Sequence, residues 1–68
     1  MKISARNTLP GTVVSVVKGP STATVKIDIG HGLTVTSTIT TDAAEDLGLA
    51  TGDTVSAIIK ASDVLIGK

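Results

Sequence analysis

Two stretches of alternating polarity, residues 22–29 and 33–40, flank the tripeptide Gly30-His31-Gly32. In the first, Ala23, Val25, Ile27 and Ile29 alternate with Thr24, Lys26 and Asp28. In the second, Leu33, Val35 and Ile39 alternate with Thr34, Thr36, Thr38 and Thr40. Successive side chains of a strand point to opposite faces, so each stretch has one apolar and one polar side. Glycine takes positive φ without steric penalty, which suits a tight connection between them. The pair reads as a β-hairpin with one face turned to a core.

The other segments fit around that hairpin. Residues 12–17 are rich in β-branched valine and threonine, which favour a pleated surface, and their imperfect alternation suggests that both faces are covered. Leu9-Pro10-Gly11 precedes them, and Pro10, which has no amide hydrogen to donate, is expected at a strand entrance or bulge. Lys18-Gly19-Pro20-Ser21 and Thr51-Gly52-Asp53 are turn signals. Asp42 with Glu45 three residues later predicts a capping box, followed by a short helix through Ala43, Ala44 and Leu47 that stops at Gly48. Residues 55–66 form a last extended stretch, broken near Ser62-Asp63. The expected fold is mostly β: one domain over residues 1–68, a small OB-like Greek-key barrel of about five strands with one short α-helix.

Composition narrows the functional classes. The 68 residues contain no cysteine, which excludes disulfides and thiol chemistry, and no Phe, Trp or Tyr. The core must come from aliphatic side chains, which bury less area each than aromatics. With 41% apolar and 18% charged residues, so short a chain has more aliphatic surface than a monomer can hide, and a homo-oligomer is expected. The formal net charge of zero and the lack of aromatic stacking platforms argue against nucleic acid as a partner. No apolar run has the length of a membrane span and no secretory leader is recognisable, so the expected compartment is the cytoplasm.

Two tripeptides at opposite ends carry the candidate chemistry. Ser4-Ala5-Arg6 and Lys60-Ala61-Ser62 each place a cation and a serine two residues apart, on one face if the segment is a strand. The first and last strands of small barrels often lie close together, so the two can form one donor set. Arg6 offers a planar fork of donors and Lys60 a point charge. Ser4 and Ser62 add hydroxyls, and the small Ala5 and Ala61 leave backbone amides approachable. A shell of donors suits a fully deprotonated tetrahedral dianion such as molybdate, tungstate or sulfate. Hydrogen phosphate would set its own donor against a donor, at about 1–3 kcal/mol for the unpaired group, or roughly tenfold to hundredfold in affinity. His31 at the hairpin tip carries no evident role, and Asp42 and Glu45 read as helix caps. There is no nucleophile triad, carboxylate cluster or phosphate-binding glycine motif, and so no catalytic residue or metal-cation site is expected.

Ser4-Ala5-Arg6-Asn7, with Leu9, Gly11 and Val13 after it, resembles the opening motif of the Mop family of small molybdate-binding proteins, the molbindins. Leu47-Gly48-Leu49, Gly52-Asp53, Val55 and then Ile59-Lys60-Ala61-Ser62-Asp63-Val64 resemble its closing motif, so the likeness covers nearly the whole chain. The resemblance implies an OB-like (Mop/TOBE-like) barrel and a homohexamer built as a trimer of dimers, with oxyanions held at subunit interfaces. Carried over by position, Ser4 and Arg6 of one subunit would meet the partner subunit's Lys60, Ala61 and Ser62, with Ala5 and Ala61 giving backbone contacts and Asn7 bracing the strand. A second kind of site, on a symmetry axis, is implied, and the turn Gly19-Pro20-Ser21-Thr22 is the candidate for it. The implied function is cytoplasmic binding of molybdate, with tungstate as a further ligand, in molybdenum storage and homeostasis, without a cofactor or an enzymatic step. A structural or regulatory oligomeric interaction module without anion binding remains the alternative, followed by an OB-type nucleic-acid binder.

Overall fold

The computed structural model describes residues 1–68. Strands β1 (Asn7–Lys18), β2 (Thr22–Gly30) and β3 (Leu33–Thr40) are followed by helix α1 (Thr41–Asp46), strand β4 (Thr54–Ile59) and a 3₁₀ turn, Ala61–Asp63. The strands form one antiparallel sheet in the order β3-β2-β1-β4. Three consecutive strands with the fourth returning beside the first is the Greek-key arrangement.

β1 carries the architecture because it changes partner along its length. Its beginning pairs with β4, from Asn7↔Ile59 to Thr12↔Thr54, and its end pairs with β2, from Thr12↔Asp28 to Lys18↔Ala23. Two sequence features let it bend. A Cβ added at Gly11 would lie 2.5 Å from the Asp28 carbonyl oxygen and 2.7 Å from Ile27 Cγ2, so only glycine allows β2 to pass this close. A register shift between Val13 and Ser15 leaves Val14 as an extra residue, a bulge that sharpens the twist.

Pro10 lies inside β1, paired with Ser56, and not at its entrance. The Val13 amide donates toward the β4 side, to Asp53 O at 2.9 Å, so by alternation the Pro10 nitrogen faces the other side. There β2 pairing begins only at Thr12, and no donor is required at Pro10.

The hairpin forms as the alternation predicts, closed by Gly30↔Leu33 around His31-Gly32. Both loop residues have positive φ, 56° at His31 and 73° at Gly32, the combination of a type I′ turn. Asp28 Oδ1 accepts from Gly30 N at 2.8 Å, which steadies the bulge at Ile29.

The helix starts differently from the expected capping box. Thr40, and not Asp42, is the N-cap, and its hydroxyl accepts from Ala43 N at 3.0 Å. The position three residues on is then Ala43, so no reciprocal Glu45 bond forms, and Asp42 sits in the first turn, where the helix dipole favours it. Gly48, with φ 61°, ends the helix as expected. Gly48 N donates to Glu45 O at 2.9 Å and Leu49 N to Ala44 O at 3.1 Å, the two bonds of a Schellman cap.

The core holds Val13, Val25, Ile27 and Ala57, with Leu9, Val16, Ile29, Val35, Ile39, Leu49 and Val55 packed around it. Only 6 of 68 residues are buried, so much of the aliphatic content lies at the surface.

The sheet has four strands, where about five were expected. Residues 4–6 lead irregularly into β1, and residues 64–66 continue past the 3₁₀ turn without a neighbouring strand to bond. The β-branched and aliphatic content of Val64, Leu65 and Ile66 favours a strand, but a strand exists only against a partner.

Candidate functional site

The two terminal tripeptides meet in one chain. β1 begins at Asn7 where β4 ends at Ile59, and the two residues are register partners. The segment entering β1 therefore adjoins the segment leaving β4. Asn7 Nδ2 donates to Ile59 O at 3.1 Å across this junction, the bracing role expected of it.

Neither tripeptide is a strand, so the two-residue spacing does not act through strand alternation as expected. Residues 4–6 are irregular, Lys60 is extended with φ −62° and ψ 135°, and residues 61–63 form the 3₁₀ turn. Their convergence comes from the antiparallel pairing of β1 with β4. The 3₁₀ turn is held by Asp63 N to Lys60 O at 2.9 Å and Val64 N to Ala61 O at 3.3 Å.

The resulting cleft, ≈ 580 Å³ in volume, is lined by Ser4, Ala5, Arg6, Lys60, Ala61 and Ser62 with Ile3, Ile58 and Asp63. All six residues singled out from the sequence thus line one space. Asp63, which follows the closing tripeptide, lines it too and was not among them. It belongs to the quoted motif, and the 3₁₀ turn that folds it back carries no strong sequence signal in three residues.

The polar side chains of the cleft make no hydrogen bond within the chain. The chain's five side-chain hydrogen bonds involve Asn7, Asp28, Thr40, Thr41 and Asp53. None uses Ser4, Arg6, Lys60 or Ser62. Arg6 and Lys60 are exposed, as are both serines, and Ala5 is half-buried. Two cations and two hydroxyls without internal partners form a ready donor set for an oxyanion.

The turn Gly19-Pro20-Ser21-Thr22 lies at the far end of β1. Its amides are less free than the sequence suggests. Gly19 N donates to Thr22 O at 2.8 Å, and Pro20 has no amide hydrogen. Thr41 ties the turn to the helix, its N bonding Ser21 O at 3.0 Å and its Oγ1 bonding Gly19 O at 2.8 Å. What the turn still presents is the pair of hydroxyls on the exposed Ser21 and Thr22.

A second cleft, ≈ 380 Å³ in volume, runs between the two edge strands. Val35 and Ile39 from β3, Val55 and Ile59 from β4, and Leu47 and Leu49 after the helix make it apolar. It offers no charged group. No group of His, Cys, Asp and Glu side chains is placed to hold a metal cation. No helix is long and apolar enough to cross a membrane.

The sequence pattern of the TOBE domain matches residues 3–66. The chain is 52% identical over 66 residues to molybdenum-pterin-binding protein 3 of Clostridium pasteurianum, covering 97% of each chain. Among solved structures it superposes on a molybdate-binding protein from Sporomusa ovata with TM-score 0.93 and 41% identity, over 100% of both chains. MopII from Clostridium pasteurianum matches with TM-score 0.92 and 43% identity, over 98% of this chain and 100% of that one. The likeness to Mop proteins read from the two terminal motifs and the OB-like fold expected from it are both borne out.

Proposed function

The chain belongs to the TOBE-domain family, and within it to the molybdenum-pterin-binding (Mop) proteins, and we propose that it binds molybdate reversibly in the cleft between its terminal segments. Tungstate, an isosteric dianion, is the further ligand. The observation that carries this reading is the meeting of Arg6, Lys60, Ser4 and Ser62 in one cleft, with every one of their polar side-chain groups unused by the fold. Reversible capture of an oxyanion needs no more than such a donor set. The role is therefore storage and buffering of molybdenum in the cytoplasm, with no cofactor and no enzymatic step.

Assembly belongs to the same proposal. A homohexamer, arranged as a trimer of dimers, would bring a partner subunit's segments against this cleft and complete the coordination that an open surface leaves unfinished. Three observations support self-association. Few residues are buried within the chain, the apolar cleft between β3 and β4 is uncovered, and Leu65 and Ile66 are 89% and 90% exposed. A threefold axis at Ser21 and Thr22 would multiply their hydroxyls into a second anion site.

Equilibrium dialysis tests the binding. Molybdate is expected to outcompete sulfate at equal concentration, and equal retention of the two would refute the reading. The exposed aliphatic surface also suits a purely structural association module. Arg6→Glu separates the two: loss of anion binding by a folded, assembled variant supports the oxyanion reading, and unchanged binding supports the other.

A further inference from the structure

We propose that Asp63 sets the protonation preference of the cleft, admitting monoprotonated tetrahedral oxyanions of the hydrogen phosphate class as competing ligands. The inference rests on the anion-binding reading of the cleft and concerns its selectivity. The donor groups alone predict strong rejection of any anion that still carries a proton. The structure adds to them a group of opposite character.

Asp63 is the one acidic residue among those lining the cleft. Its backbone is fixed by the 3₁₀ turn, through the 2.9 Å bond from its amide to Lys60 O. That turn follows directly on the extended Lys60, and both Lys60 and Asp63 line the cleft. Its carboxylate takes part in none of the chain's side-chain hydrogen bonds. It does not cap a helix and has no assignment in the fold.

An ionised carboxylate only accepts hydrogen bonds. Toward a proton-free dianion it is a like charge and weakens binding. Toward HPO₄²⁻ it is a like charge as well, but it can accept the anion's O–H, which the Arg6, Lys60, Ser4 and Ser62 donors would otherwise oppose. Molybdate and HPO₄²⁻ carry the same charge, so the Coulomb effect of Asp63 on the two is nearly equal. The ratio of their affinities therefore isolates the hydrogen-bond acceptor.

The test uses the full chain and its Asp63→Asn and Asp63→Ala variants at about pH 8, where inorganic phosphate is chiefly HPO₄²⁻. Titration calorimetry is run with molybdate, sulfate and phosphate. Because the side chain is exposed and unbonded, both variants should keep the parent's thermal transition and assembly. Removing the charge should tighten molybdate and sulfate alike, by about three- to tenfold for a like charge near the cleft in a largely aqueous dielectric. Phosphate should not share the gain in Asp63→Ala, so the molybdate-to-phosphate ratio rises about tenfold, the lower end of the effect of one unpaired donor. Asp63→Asn, which keeps a carbonyl acceptor, should show a smaller rise in that ratio. An unchanged ratio in both variants, including equal tightening of all three anions, overturns the role given to Asp63 while leaving molybdate binding intact. Failure of the parent protein to bind any of the three overturns both this inference and the function it rests on.

Discussion

Arg6 is exposed and makes no hydrogen bond within the chain, so its guanidinium contributes little to holding the barrel together. Arg6→Glu should therefore leave the thermal transition nearly unchanged while reducing molybdate affinity by at least a hundredfold, measurable by dialysis against labelled molybdate. Gly11 is the opposite case, a residue outside the cleft whose side of β1 is closed by the Asp28 carbonyl and Ile27. Gly11→Ala should destabilise the protein by about 1–3 kcal/mol through overpacking. In a chain of this length that is a fall in Tm on the order of 4–8 °C per kcal/mol, and a denaturant midpoint equal to the parent's would contradict the close approach. Gly48 and Gly52 also belong to the fold, each with positive φ at a cap or turn. Gly52 N bonds Val13 O at 2.8 Å and Val13 N bonds Asp53 O at 2.9 Å, so the Gly52-Asp53 pair of the closing motif fastens the turn to β1. Several residues of the two family motifs are thus scaffold, and the proposed ligand-facing part is confined to a few terminal residues.

The elements differ in how openly the sequence announces them. The hairpin was legible because period-two alternation and a glycine-flanked tip are local signals, needing no knowledge of the rest of the chain. The helix was legible in place but not in its cap: Asp42 with Glu45 satisfies the capping-box spacing, yet Thr40 is positioned first as β3 runs directly into the helix. Thr40→Ala should cost about 1 kcal/mol, seen in chemical denaturation, whereas Asp42→Ala should cost only a few tenths. β1 was read too short because proline suggests a boundary, and only the late arrival of β2 pairing makes Pro10 acceptable in mid-strand. The candidate cleft was legible as residues and not as conformation. Ser4, Arg6, Lys60 and Ser62 were identified by their chemistry, but their convergence depends on the β1–β4 register, which no local pattern encodes. Asp63 was passed over for the same reason, since a 3₁₀ turn of three residues has no periodicity to detect.

Taken alone, one chain leaves much apolar surface uncovered. Its edge strands face each other across an apolar cleft, and its C-terminal aliphatic segment is unpaired. Exposed edges and apolar segments of this kind are hazards unless another surface covers them. Deleting residues 64–68 should shift the assembly toward smaller species in native mass spectrometry at micromolar concentration. The intact chain should run as a hexamer under the same conditions. Ligand binding that requires the assembled state must also stabilise it. Molybdate at a hundredfold excess over its dissociation constant adds about 2.7 kcal/mol per site, so Tm should rise with molybdate concentration, and a flat response would argue against the coupling.

The Asn7–Ile59 junction has a kinetic meaning as well. Its partners stand 52 residues apart in sequence, so pairing them closes nearly the whole chain into one loop. The β2–β3 hairpin can form early from neighbouring residues, whereas the β1–β4 seam bears the entropy of a long closure. The cleft does not exist until that seam has formed. During refolding, the ability to capture an anion should be the last native property to return, well after β-sheet signal appears, and anion capture then reports on completed folding as much as on affinity.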